Sequence, residues 1–203
     1  MRNFRARYNR RPITQGNVQM ASLAPTAEHL GARFPALAAH LVPDELELFA
    51  HVLTPVRLLA GEELLQQGAR HPQLFFLWDG AFALQYGDEQ SAAELGSLPP
   101  NSAVGEVSFF DGGPVAATVR VVSRVGVALG IDEETFEAFA EEHPKAAAGV
   151  YRALATMLAE RLRAATERFE EVMPAARTTD ARVLDRHRAI DLLRRLFGAR
   201  EAK

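Results

Sequence analysis

Five glycines, Gly61, Gly68, Gly80, Gly87 and Gly96, recur 7 to 12 residues apart. Between and beside them lie short segments that alternate or run apolar: Val56–Leu59, Glu63–Gln66, Leu74–Trp78, Phe82–Tyr86 and Ala92–Leu95. Short strands punctuated by glycine at this spacing predict an antiparallel β-roll or jelly roll. Val119–Val122 and Val125–Leu129 complete the set, giving a roll over about residues 54–131. The glycines read as turn residues at positive φ rather than as ligand contacts.

Helical patterns flank this region, so the fold class is mainly β with flanking helices (α+β). Thr26 with Glu28 and Leu30, and Pro43-Asp44-Glu45 opening Leu46, Leu48, Phe49 and Val52, predict two short helices with acidic first turns. After the strands, Ile131-Asp132-Glu133-Glu134 caps a helix through Phe136 and Phe139 that ends before Pro144. A long helix follows over about 144–172, with Pro174 as its expected end. Leu154, Leu158, Leu162, Ala165, Phe169 and Val172 form an apolar stripe along it, suited to packing on the roll or on a partner helix. A last amphipathic segment, Val183–Phe197, places Val183, His187, Ile190, Leu193 and Phe197 on one face and most of its arginines around the other. The expected organisation is a basic arm over 1–26, one domain over 27–172 and a basic tail over 173–203.

Charge follows the same division. The net charge is −3, but residues 1–27 hold Arg2, Arg5, Arg7, Arg10 and Arg11 and no acid. Residues 28–172 hold 22 acidic and 10 basic side chains, and residues 173–203 are net +4. An acidic body repels nucleic acid phosphates, so specific DNA binding is not expected of it. The basic ends either fold against the body or contact an anionic partner. Met20 offers an alternative start that would remove the arm. With no cysteine, thiol chemistry and disulfides are excluded, and a reducing cytoplasm is the natural compartment. No apolar run reaches the roughly 20 residues of a membrane span, and no secretory signal core is apparent. A metal-dependent β-roll enzyme needs clustered imidazoles; only His71 of the six histidines lies among the strands, so no metal site is expected.

Residues Gly105–Arg120, GEVSFFDGGPVAATVR, combine a Gly-Glu pair, a short apolar turn, an Asp-Gly-Gly-Pro corner and a small-residue step into a strand. Other signals precede it in order: Leu59-Ala60-Gly61-Glu62, Gln67-Gly68, Leu74-Phe75-Phe76-Leu77 with Gly80, and Leu98-Pro99-Pro100 leading to Val104-Gly105-Glu106. Across roughly residues 45–172 this series resembles the cyclic nucleotide-binding domain family of catabolite-activator-type regulators, kinase regulatory subunits and gated channels. The resemblance implies that Gly105, Glu106 and Val107 open a phosphate-binding cassette in which Glu106 accepts a ribose 2′-hydroxyl. It also implies that Ala116 and Ala117 present backbone N–H groups to a cyclic phosphate from a short helical turn, with Thr118 donating a hydroxyl. Glu106 has a second reading, as a turn carboxylate capping the N–H of Ser108 or Phe109. One position departs from the family: Val115 stands where an arginine meets the phosphate. A valine supplies neither charge nor paired hydrogen bonds, and Arg120, Arg124 and Arg152 are the other arginines weighed for that role.

The resulting expectation is a non-catalytic regulatory or scaffolding protein without a cofactor, its nucleotide binding weakened or lost, acting through protein contacts and dimeric through the long helix. Leu154, Leu158, Leu162, Phe169, Val183, Ile190 and Phe197 are the expected interaction surface. Two alternatives remain open. One is a genuine cyclic AMP or cyclic GMP receptor signalling through its C-terminal helices. The other is an anchor that binds an anionic partner through its basic termini. A winged helix-turn-helix effector is not expected after Pro174, because one helix without a neighbour cannot brace a recognition helix.

Overall fold

The structure, a computed structural model, describes residues 25–70, 73–87, 93–99 and 101–176, excepting the side chains of 93–95 and 168–176. The predicted arm over 1–26, but for its last two residues, and the tail segment Val183–Phe197 lie outside the described residues.

Three helices lead in: α1 (Ala27–Arg33), α2 (Pro35–His40) and α3 (Pro43–Val52). Thr26 caps α1 by accepting from His29 N–H. Prolines open α2 and α3, where a missing N–H costs nothing. Helix α2 is an addition to the two short helices expected here; at six residues it is too short to show a sustained period.

Among the described residues, eight strands then form two four-stranded antiparallel sheets. They are β1 (Thr54–Leu59), β2 (Glu63–Leu65), β3 (Gln73–Asp79), β4 (Phe82–Tyr86), β5 (Ala93–Leu98), β6 (Ala103–Val104), β7 (Thr118–Val121) and β8 (Val125–Asp132). One sheet runs β1-β8-β3-β6 and the other β2-β7-β4-β5. The expected antiparallel roll is therefore present, with the two-residue β6 as an addition too short to leave a pattern. Gly96 does not sit in a turn. It lies within β5 opposite Leu84, next to a register shift in β4, where its φ of +140° fits a bulge.

The continuous apolar run of β3 has a direct cause: the strand is buried on both faces. Phe75 and Leu77 point into the roll, joining Val56, Leu58, Leu64, Val104, Val119 and Val121. Leu74 and Phe76 point the other way into a helical core with Phe34, Phe49, Leu129 and Phe136. Phe49 is the hub of that core, its ring 5.8 Å from Phe76, 6.5 Å from Phe136 and 5.6 Å from Phe139.

Helix α4 (Glu106–Asp111) connects β6 of the first sheet to β7 of the second. After β8 come α5 (Glu133–Glu142) and the long α6 (Pro144–Ala176). Asp132 caps α5, its Oδ1 accepting from Thr135 N–H at 2.9 Å. Asp132→Ala is expected to cost about 1 kcal/mol of stability in thermal or denaturant unfolding; no measurable loss would show that the cap contributes nothing here. Helix α6 runs to Ala176, past Pro174, which the sequence reading takes as its end. Helix α6 crosses α2 closely at Gly149, where a Cβ would lie 2.6 Å from His40 O, and His40 Nε2 meets Thr156 Oγ1 at 3.2 Å.

Candidate functional site

In the stretch expected to form the cassette, the helical turn sits earlier than expected. The helical turn is α4, beginning at Glu106, whereas Ala116 and Ala117 lie in a bend leading to β7. Gly105 opens α4 in the left-handed conformation, φ +84°. A Cβ there would lie 2.1 Å from Gln73 O, so only glycine lets β6 pass this close to the start of β3. Its carbonyl then accepts from Phe109 N–H at 3.0 Å and from Ser108 Oγ at 3.1 Å. Gly112 closes the helix, again left-handed.

Glu106 is buried, with 4% of its surface exposed. Its carboxylate does not cap the N–H of Ser108 or Phe109. Instead Arg161 of α6 donates through Nη1 to Glu106 Oε1 at 2.5 Å and through Nη2 to Ala103 O at 2.6 Å. One guanidinium therefore ties the long helix to both the cassette carboxylate and β6. Such charge-assisted pairs are the strong ones, and burial of the carboxylate makes its partner obligatory. Val107, next along, is exposed.

Val115 is 5% exposed and packs in the cluster inside the roll with Leu65 and Val119. Its backbone is pinned on both sides, N–H to Ala69 O at 2.9 Å and O from Gly68 N–H at 2.8 Å. Position 115 is thus an aliphatic wall of the roll interior. Ala116 is exposed and Ala117 half-buried, and among the described residues neither N–H is seen to donate to protein. Thr118 is buried, and its Oγ1 accepts from Gln67 N–H at 3.0 Å. Val119 and Val121 face the interior, so strand alternation sends Thr118 and Arg120 to the other face. The hydroxyl therefore fastens β7 to the loop after β2 rather than addressing the cassette.

None of the arginines weighed from sequence reaches the cassette. Arg120 pairs with Glu63, with Gln85 Oε1 at 3.2 Å and with Gly61 O at 3.0 Å. Arg152 is exposed on α6, and Arg124 lies in the β7–β8 turn, where its carbonyl accepts from Ala60 N–H. Arg161 was overlooked. Its signal was its register: it follows Val150, Leu154 and Met157 at spacings of 4, 3 and 4, a lone charge on the face of α6 that packs inward.

The expected interaction surface divides in the same way. Leu154 is a correction: at 1% exposure it belongs to the helical core, because the N-terminal half of α6 lies on α2, α3 and α5. Leu158 is half-buried and Leu162 is 69% exposed. Phe169 is on α6, but its side chain lies outside the described residues, as do Val183, Ile190 and Phe197 entirely.

Two packed antiparallel sheets, helices at both ends and a glycine-led cassette helix are the pattern of one family, and residues 55–143 match its model, that of the cyclic nucleotide-binding domain. These residues form a cyclic nucleotide-binding domain. The chain is similar to a cyclic nucleotide-binding domain from Methylobacillus flagellatus KT, with a TM-score of 0.63 and 16% identity over 79% of this chain and 90% of that one. It is also similar to the catabolite activator protein of Thermus thermophilus, with a TM-score of 0.55 and 22% identity over 78% of this chain and 79% of that one. Glutaminase 2 of Bradyrhizobium diazoefficiens is 30% identical over 143 residues, which is 70% of this chain and 22% of that protein. The chain thus spans about a fifth of the length of that curated relative. Among the described residues no helix is long and apolar enough to cross a membrane.

Proposed function

We propose that this cyclic nucleotide-binding domain is a non-catalytic regulatory module whose nucleotide site is closed upon itself and whose output is protein contact through α6. The observation that carries the reading is the Arg161–Glu106 pair: the carboxylate suited to a ribose hydroxyl is already neutralised and sealed by the chain's own helix. The buried Val115 supports it, since an anion entering there meets methyl groups in place of a guanidinium. A matching segment within a much longer glutaminase chain agrees with a regulatory attachment. Helix α6, bonded to the cassette at one side and carrying an exposed Leu162 on another, is the natural output element. A second copy docking there would give a homodimer. The cytoplasm is the proposed location.

The test is calorimetric titration of the full chain with cyclic AMP and cyclic GMP. No saturation in the low micromolar range is expected; tight saturation would reject the closed-site reading. Val115→Arg is then expected to tighten any residual binding by about tenfold or more, a gain of at least about 1.4 kcal/mol. A second reading has one observation in its favour. The N–H groups of Ala116 and Ala117 have no protein acceptor among the described residues, which suits a true receptor that holds the phosphate through its backbone; low-micromolar binding by the unaltered chain would select it. The anchor reading depends on the basic termini, outside the described residues, and recovery of an anionic partner by residues 1–24 fused to an inert carrier would support it.

A further inference from the structure

We propose that the corner where α4, α5 and α6 meet docks a basic amphipathic segment of another protein, seated on an aromatic platform with an acidic rim. This rests on the regulatory reading only in that output is by protein contact, and it holds whether or not a nucleotide binds.

Four aromatic rings close a circuit at this corner. Phe109 lies 6.0 Å from Phe110, Phe110 5.7 Å from Tyr151, Tyr151 5.2 Å from Phe136, and Phe136 5.4 Å from Phe109. Phe109 and Phe136 are buried and anchor the circuit. The other two reach the surface, Phe110 at 40% exposure and Tyr151 at 45%, and Val107, one turn before Phe110 on α4, is 48% exposed. Single exposed apolar side chains need no explanation, but three that adjoin across two touching helices mark a contact surface. Rings already held by buried neighbours lose little freedom on binding, which favours them as anchors.

Charge selects the partner. Asp111, next to Phe110, is exposed. Helix α5 carries Glu133, Glu134, Glu137, Glu141 and Glu142, all exposed, and no basic side chain. Glu133 and Glu137 flank Phe136, the α5 ring against Tyr151, at spacings of three and one. Against these acids stands Arg152, exposed beside Tyr151. A second copy would bring the same acidic rim, and residues 28–172 are net −12, so like charges oppose docking of the chain on itself. Anionic lipid and nucleic acid are repelled for the same reason. A basic amphipathic segment meets both demands. Its apolar side chains cover Val107, Phe110 and Tyr151, and its Lys or Arg groups lie over the exposed ring faces or reach the α5 carboxylates. A platform of three side chains suits a weak, reversible contact rather than a permanent one.

The probe is a fluorescein-labelled synthetic helix of leucine and lysine, about four turns long, titrated with the full chain and followed by anisotropy. Saturable binding in the micromolar range is expected, weakening severalfold at high salt. Phe110→Ser and Val107→Lys are each expected to weaken it about tenfold, and Glu133→Gln with Glu137→Gln about threefold to fivefold. Val107→Lys, at an exposed helical position, keeps the test valid should Phe110→Ser disturb the fold. Leu48→Lys, at an exposed apolar position on α3, is expected to change affinity less than about twofold. Absence of saturation, equal binding of an all-lysine peptide or of a leucine–glutamate helix, or unchanged affinity in Val107→Lys would each overturn the inference. So would a dimer in sedimentation that Val107→Lys dissociates, which would assign the platform to a second copy. The titration contains no cyclic nucleotide, so its failure would leave the closed-site reading standing.

Discussion

Gly105→Ala is expected to destabilise the domain by about 3 kcal/mol or more, lowering the midpoint of thermal unfolding by roughly 6–12 °C. Two costs combine. A left-handed φ of +84° costs an L-residue about 1–2 kcal/mol by itself. A Cβ would also lie 2.1 Å from Gln73 O, which is backbone and cannot swing aside, so β6 must separate from β3. Gly112→Ala is the control. It shares the left-handed conformation, φ +65°, but a Cβ there meets nothing within 4 Å, so only the conformational cost of about 1 kcal/mol applies. Equal losses from the two substitutions, measured by calorimetry or denaturant unfolding, would show that close approach at Gly105 is not what the cassette requires.

Arg161→Ala is the second large effect, with an expected loss of about 2–3 kcal/mol. Removing one member of a fully buried ion pair costs about 3–5 kcal/mol, and the Arg161 side chain is 38% exposed, so water reaches the cavity and softens the loss. The carboxylate of Glu106, with a side-chain exposure of 6%, is left without its cation. Glu106→Gln keeps an acceptor and sheds the charge, so about 1 kcal/mol is expected. The double variant should be more stable than the sum of the two losses predicts, with a coupling of about 1–2 kcal/mol, because the contact is lost only once. Strict additivity would mean that the two groups do not share an interaction. Arg161→Ala should also speed amide exchange in the part of α6 beyond Met157, since Arg161 fastens that stretch to the cassette.

Much of the fold was legible because it rests on local chemistry. Turn glycines cannot be exchanged for other residues without strain, and the apolar runs of β3 and β8 must be buried on both faces. Proline starts and acidic caps mark helix ends in a single line of text. The turn after Gly105 was legible for the same reason: Gly105 and Gly112 bracket a stretch in a conformation that few other residues permit. What failed involved distance. Thr118 takes its expected role from its place in the motif, yet strand alternation and a bond from Gln67 N–H decide how its hydroxyl is used. Leu154 looked like surface because an apolar stripe does not announce which of two packing partners it meets.

The sequence by itself determined the antiparallel roll, the helices around it and the aliphatic residue at position 115, all of which depend on residue type and near-neighbour spacing. Only the tertiary structure decided that Glu106 is closed by Arg161. These two residues are 55 positions apart, and no periodicity links them. They meet because α6 crosses back over the cassette, and a carboxylate removed from water takes whichever cation the packing brings within reach.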